Sequence, residues 1–90
     1  MMNLQEYTDE ELVTSAQAGD AEAESVLMNR YKQLVKSKAA SYYMAGADRD
    51  DVVQEGMIGV LKAIRDYDGS KEASFGTFVN LCIRRQIISA

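Results

Sequence analysis

The sequence predicts an all-α fold, a compact bundle of four helices within a single domain over residues 1–90. Apolar residues recur at helical spacing along most of the chain, and its 90 residues include no proline that would interrupt a helix. Residues that commonly cap helices stand where the periodic segments begin. A regular helical core is the simplest way to stabilise so small a domain. The predicted helices cover about residues 8–18, 20–45, 48–67 and 74–90.

The first two helices are bounded by capping and breaking residues. Thr8 and Glu11 have the spacing of a capping box, and Gly19 is a residue type that often ends a helix. Asp20 is placed to cap the second helix, and Gly46 to end it. We expect the second and third helices to form the antiparallel centre of the bundle.

The last two helices have equally clear starts. Asp48 is placed to cap the third helix, and Ser74 to cap the fourth after the loop at residues 68–73. The fourth helix shows no stop signal before the last residue, Ala90. Because a natural terminus more often frays into polar residues, we expect the chain to be part of a longer protein.

The exposed side of the third helix contains one apolar residue among polar ones. At about 100° per residue, Ile58 falls within a strip that also holds Asp51, Gln54, Glu55, Leu61 and Arg65. An apolar centre ringed by polar groups is typical of a docking surface. The alternative is a solvated face with one stray isoleucine. Gly59 lies at the edge of the strip, where its missing side chain would let a partner backbone approach.

The fourth helix presents two sides. Phe75, Val79, Cys82, Ile83 and Ala90 share one side, which we expect to face the core. Phe78, Leu81, Arg85 and Ile88 share the other, flanked by Thr77, Arg84 and Ser89. Aromatic, apolar and basic residues on one side suit contact with unpaired bases and phosphates. A helix packed on two sides is an equally good explanation of the pattern by itself.

Composition excludes several classes of function. The chain has no histidine and one cysteine, so neither a metal site nor nucleophilic catalysis has support, and we expect no cofactor and no enzyme activity. The single cysteine suits a reducing cytoplasm. No run approaches the ~18 apolar residues of a membrane span, and the start does not resemble a signal peptide. The net charge of −4 argues against a protein that binds DNA without a partner, although residues 30–90 carry all ten basic residues.

The sequence DVVQEGMIG at residues 51–59 resembles the polymerase-docking helix of bacterial sigma factors, in region 2 of the sigma-70 family. The resemblance extends over about residues 9–90 and is closest to the sigma-H-like factors of stationary phase and sporulation. It implies the fold of sigma region 2 and binding to a coiled coil in the clamp of the largest subunit of RNA polymerase. The matching positions are Asp51, Gln54, Glu55, Met57, Ile58 and Leu61. Met57 departs from the primary factors, which carry a polar residue there.

The sequence FGTFVNLCIRRQII resembles the segment of sigma factors that binds the non-template strand of the minus-ten promoter element. The implied DNA contacts are Tyr67, Lys71, Thr77, Phe78, Leu81, Arg84, Arg85, Ile88 and Ser89. Tyr67, Lys71 and Phe78 match residues that line a pocket for an extruded base. The primary factors have two adjacent tryptophans where this chain has Leu81 and Cys82. Because these side chains offer less stacking surface, we expect weaker melting and a stricter promoter requirement.

The resemblance implies an alternative sigma factor domain for transcription initiation, with catalysis left to the polymerase. The implied partners are core RNA polymerase and promoter DNA, an anti-sigma factor is a further candidate, and a membrane is not expected. The minus-thirty-five-reading domain of the family is absent from this chain. Two alternatives remain: a helical protein-interaction module without DNA binding, and a regulator that mimics a sigma factor.

Overall fold

The computed structural model describes residues 4–42, 49–71 and 74–89. These residues form a short 3-10 helix, Leu4–Glu6, followed by α1 (Asp9–Gln17), α2 (Ala21–Tyr42), α3 (Arg49–Asp66) and α4 (Phe75–Ser89). The all-α prediction is confirmed for this part of the chain, and the predicted helices lie close to the observed ones. The short 3-10 helix was not predicted. The predictions for Gly46, Asp48 and Ala90 fall outside the described residues.

The predicted helix caps that lie within the described residues are present. The Thr8 backbone N–H donates to Glu11 Oε1 at 2.9 Å, and the Glu11 N–H donates to Thr8 Oγ1 at 3.2 Å, which completes the capping box. Gly19 follows α1 with a φ of 107°, a conformation that favours glycine. Asp20 Oδ1 accepts from two N–H groups in the first turn of α2. Ser74 Oγ accepts from the third N–H of α4, at 3.2 Å.

The core is apolar and draws on all four α-helices. Its buried residues are Leu12, Val13, Ala23, Leu27, Val35, Ala39, Val60, Ala63, Ile64, Phe75, Val79 and Ile83. Among the described residues no polar or charged side chain is buried with them. Full burial of an aliphatic or phenyl side chain stabilises by about 1.5–3 kcal/mol, so this cluster supplies most of the driving force for folding. No helix in the described ranges has the length and apolar character needed to cross a membrane.

The centre of the bundle differs from the prediction. The most extensive helix pair is α3 with α4, rather than α2 with α3. Gly59 explains the difference, because a Cβ there would lie 2.8 Å from Ile83 Cα and 2.9 Å from the Cys82 carbonyl oxygen. The expectation that Gly59 admits a partner backbone is therefore wrong: the backbone that approaches Gly59 belongs to α4. Gly56, one turn earlier, is also buried and faces Val35 of α2.

Candidate functional surfaces

The strip predicted on α3 lies at the molecular surface. Ile58 is 41% exposed, which is unusual for an isoleucine on a helix that buries its opposite side. The other exposed members are Asp51, Gln54 and Arg65, and the half-buried ones are Glu55 and Leu61. The structure therefore brings together an apolar centre and polar neighbours, as the periodicity predicted.

Met57 stands apart from the strip. Its side chain is half-buried and packs against the core cluster. Met57 precedes Ile58 by one residue, so about 100° of helix rotation separates the two. The thioether chain adapts to an irregular gap, and core packing accounts for the apolar residue at this position.

One side of α4 exposes apolar and basic residues together. Leu81 is 39% exposed and Ile88 is 60% exposed. Thr77, Arg84, Arg85 and Ser89 are also exposed. Apart from Phe78, the residues predicted on this side of the helix are all exposed. Cys82 is half-buried and packs against the core, in agreement with its predicted place on the other side.

Phe78 belongs to an aromatic cluster at the start of α4. Its ring centroid lies 5.7 Å from that of Tyr67, and the Tyr67 ring lies 5.4 Å from that of the buried Phe75, edge to face. Phe78 and Tyr67 are each half-buried. The two rings predicted to line a base pocket are therefore neighbours, although each has one surface occupied by the fold. Lys71, the third predicted member, is exposed in the loop.

Helix α1 holds both ends of the loop between α3 and α4. Gln17 Nε2 donates to the carbonyl oxygens of Ile64 and Tyr67, at 2.9 and 2.8 Å. At the other end, Glu10 Oε2 accepts from the Phe75 N–H at 2.9 Å, which satisfies a free donor at the start of α4. These contacts could not be predicted from the sequence, because the partners are 47 to 65 residues apart and no local pattern links them.

Helix α1 is in turn fixed to α2. The Asp9 carboxylate accepts from Arg30 Nη1 at 2.9 Å and from the Tyr31 hydroxyl. Arg30 Nη2 also donates to the Gln5 carbonyl oxygen at 2.9 Å. Burial of the Tyr31 ring, together with its hydrogen bond to Asp9 and the negative charges of Asp9 and Glu10, raises the pKa of the Tyr31 hydroxyl. The loop that carries Tyr67 and Lys71 is thus anchored through α1 to the longest helix.

A second polar network joins α3 to α4. Gln86 Nε2 donates to Glu55 Oε1 at 2.6 Å, and Lys62 Nζ donates to Gln86 Oε1 at 2.8 Å. Gln86 was not among the predicted site residues, since a glutamine on a helix gives no sequence signal for a cross-helix contact. Within the described ranges there is no group of three or more histidine, cysteine or acidic side chains that could hold a metal ion.

Comparison with known proteins matches the chain to a family. The sequence profile described as Sigma-70 region 2 matches residues 27–90. The chain is 49% identical over 82 residues, 91% of its length, to the RNA polymerase sigma-H factor of Bacillus subtilis, and it covers 38% of that protein. The sigma-H factor of Bacillus licheniformis is also 49% identical, with 37% covered. The sigma-B factor of Bacillus anthracis is 44% identical over 57 residues, 63% of the chain and 22% of that protein.

The chain therefore spans little more than a third of the sigma-H factors that it matches. The matched region contains both α3 and α4, which carry the two surfaces described above. On this evidence the chain belongs to the sigma-70 family and contains its region 2.

Proposed function

We propose that this chain is the part of an alternative sigma factor that binds core RNA polymerase and recognises and opens the minus-ten promoter element. The exposure of Ile58, at 41%, is the observation that carries the proposal. When a partner covers an apolar side chain at the centre of a polar strip, the apolar surface is removed from water and the free energy of binding becomes more favourable. The polymerase is the partner that the family suggests, and the cytoplasm is then the place of action.

Five residues of the strip have a role in the proposed contact. Asp51 and Glu55 pair with basic groups on the coiled coil of the polymerase clamp, and Gln54 forms a hydrogen bond to it. Ile58 and Leu61 supply the apolar centre. Charged groups at the rim speed association and set the orientation, whereas the buried centre supplies most of the affinity.

Strand separation is assigned to α4 and the loop before it. Extrusion of a base costs a few kcal/mol, which stacking and a fitted pocket recover. Tyr67 and Phe78 already lie side by side, 5.7 Å between centroids, and supply the aromatic surface. Arg84 contacts backbone phosphate, and Arg85 and Ile88 meet the upstream edge of the element. Catalysis remains with the polymerase.

The weaker melting expected from Leu81 and Cys82 is consistent with their positions. Leu81 is 39% exposed, so its side chain is available to a base pair. Cys82 is half-buried, and its carbonyl group lies against Gly59. An aromatic ring at position 81 would project into solvent, whereas a ring at position 82 would require room between the helices.

A protein-interaction module without DNA binding is the second candidate. The contact between Phe78 and Tyr67 favours it, because this contact is explained by folding alone. In that case Ile58 still binds a partner, while Leu81 and Arg85 have no role. Binding of single-stranded DNA in the presence of polymerase separates the two candidates.

The first test is retention of core RNA polymerase from Bacillus subtilis on the immobilised chain. We expect the wild type to retain the polymerase, Ile58→Asp to abolish retention and Gln54→Ala to weaken it. Gln33→Ala, a change of an exposed glutamine on α2, serves as the matched control. A folded wild type that retains no polymerase would contradict the proposal.

The second test adds short single-stranded DNA of randomised sequence to the retained complex. Selection of a preferred sequence by the wild type, lost in Arg85→Ala, is the expected result. Polymerase retention without any selection of DNA would favour the interaction module.

A further inference from the structure

The network around Gln86 joins the two proposed binding surfaces. Gln86 uses its amide nitrogen for Glu55, a proposed polymerase contact, and its amide oxygen for Lys62, at 2.6 and 2.8 Å. Ile58 lies between Glu55 and Lys62 on α3, three residues after one and four before the other, so the three share one side of the helix. Gln86 is half-buried along the edge of the proposed docking strip.

The same side chain borders a groove that reaches the proposed DNA surface. The groove lies between α3 and α4 and has a volume of about 400 Å³. It is lined by Glu55, Lys62, Asp66, Cys82, Arg85, Gln86 and Ser89. Glu55 belongs to the polymerase surface, and Arg85 and Ser89 belong to the DNA surface. Gln86 therefore lies between the two surfaces, where a contact on one surface can change whether its side-chain amide is available to a ligand on the other.

We propose that Gln86 is a conditional DNA contact that polymerase binding releases from Glu55, an inference that rests on the proposed function. In the unbound chain the Glu55 carboxylate accepts from the Gln86 amide. When a basic group of the polymerase pairs with Glu55, it competes for that carboxylate with a full charge, and charge-assisted bonds are the stronger ones. The amide is then free to donate to an acceptor on the DNA strand in the groove beside Arg85 and Ser89.

This arrangement makes polymerase binding and strand binding depend on each other. The hydrogen bond between Glu55 and Gln86 stabilises the unbound chain and so opposes binding of both polymerase and the DNA strand. Loss of this bond when polymerase docks therefore favours strand binding. Because linkage is reciprocal, the strand strengthens polymerase binding by the same factor. A residue with a purely structural role would instead weaken both contacts when it is removed.

The test compares Gln86→Leu with Gln33→Leu, the same substitution at an exposed position of α2. The probe is a single-stranded DNA oligonucleotide selected from a randomised pool by the complex of the wild type with core polymerase. We expect Gln86→Leu to lower the affinity of the complex for this strand about 3- to 10-fold, the effect of one hydrogen bond. Its affinity for polymerase without DNA stays equal to the wild type or rises. Gln33→Leu changes neither affinity.

A second pair of variants tests the release step in the chain without polymerase. Glu55→Ala removes the acceptor that holds Gln86, so strand affinity should rise. Adding Gln86→Leu to Glu55→Ala should remove the part of that rise that comes from the freed amide. If the rise came only from the lost negative charge, it would persist in the double variant, and that outcome would overturn the proposal. Circular dichroism melting checks that each variant folds.

The two hypotheses fail in different ways. A wild type that binds polymerase and strand, with Gln86→Leu indistinguishable from Gln33→Leu, would refute the role of Gln86 alone. Equal loss of both affinities in a folded Gln86→Leu would also refute it, because that is the structural outcome. A folded wild type that does not bind polymerase would refute the proposed function and the role of Gln86 together.

Discussion

The exposed strip of α3 and the exposed side of α4 are held in place in different ways. The strip lies on one continuous helix, and its exposed members Asp51, Gln54 and Ile58 are positioned by helix geometry. The exposed side of α4 follows a loop whose two ends are held by side chains of α1. Phe78, the aromatic residue on this side of α4, packs on Tyr67, which lies at the other end of that loop.

Because of this difference, substitutions on the two surfaces should affect partner binding and the free energy of unfolding differently. Substitutions at the exposed strip of α3 should change partner affinity and leave the free energy of unfolding within about 0.5 kcal/mol. Substitutions that disturb the start of α4 should change both, because the same contacts that shape the surface also hold the loop. The interface between α3 and α4 is common to the two surfaces, so damage there should affect both equally.

The largest expected effect is that of Gly59→Ala. The added Cβ would lie 2.8 Å from Ile83 Cα and 2.9 Å from the Cys82 carbonyl oxygen, so α4 must move away from α3. Alanine favours a helix by about 1 kcal/mol over glycine, but overpacking against backbone costs more than that gain. We expect a net loss of about 2 kcal/mol in the free energy of unfolding and a melting temperature lower by roughly 10 °C.

Gly69→Ala is the matched control for this prediction. Among the described residues, a Cβ at Gly69 would meet only the Tyr67 ring, 3.7 Å away at its nearest atom, which is ordinary van der Waals contact. Thermal unfolding followed by circular dichroism compares the two variants. If Gly59→Ala melts at or above the temperature of the wild type, the close approach of α4 is not what fixes this interface.

The next largest effect is expected at Gln17. Gln17→Leu removes the donor that satisfies the carbonyl oxygens of Ile64 and Tyr67 at the end of α3. We expect a loss of about 1–2 kcal/mol in the free energy of unfolding, since these carbonyl groups then lose the Gln17 amide as a donor. Strand affinity should fall while polymerase retention stays unchanged, because only the loop and the start of α4 are loosened.

Hydrogen exchange localises this effect. The amide N–H groups of Tyr67 and Lys71, which donate to the carbonyl oxygens of Ala63 in α3 and of Asp68 in the loop, should exchange faster in Gln17→Leu, whereas those in the middle of α2 should not. Gln33→Leu, on the exposed side of α2, is the control. Uniformly faster exchange along the whole chain would mean that Gln17 supports global stability and does not act on the loop.

The same contrast explains how much could be predicted from the sequence. Helix periodicity placed Ile58 at the surface and Val79 and Ile83 in the core, because each of these positions depends only on rotation about the axis of its own helix. Capping residues such as Thr8 and Asp20 were also found, since their partners lie two or three residues away. Local rules are sufficient for features that local geometry determines.

The contacts between distant segments could not be predicted in this way. The role of Gly59 was misjudged because the sequence does not say which helix packs on which side of α3. The hydrogen bonds of Glu10 and Gln17 join residues far apart in the chain, and either side chain alone resembles an ordinary exposed residue. Such contacts become visible only when the packing of all the helices is known.

The smallest expected effect is a pH dependence at the junction of α1, α2 and α4. Tyr31 donates a hydrogen bond to Asp9, and its ring lies edge to face with Phe75, with centroids 5.7 Å apart. Burial, then the hydrogen bond and the nearby negative charge, raise the pKa of the Tyr31 hydroxyl above its ordinary value of 10.0. The stability that comes from the neutral hydroxyl is therefore complete below pH 10.0 and is lost as the pH rises beyond it.

Tyr31→Phe should make this contribution measurable. The variant keeps the ring contact with Phe75 but loses the hydrogen bond to Asp9, so we expect it to be less stable by about 1 kcal/mol at neutral pH. Because it has no hydroxyl to ionise, its stability should fall less steeply than that of the wild type above pH 10.0. Tyr42→Phe, on the same helix, controls for the loss of a tyrosine. Urea unfolding across this pH range gives the change in the free energy of unfolding with pH for the wild type and for Tyr31→Phe. Equal slopes would mean that the hydrogen bond from Tyr31 to Asp9 does not anchor α1, the helix that holds the loop before α4.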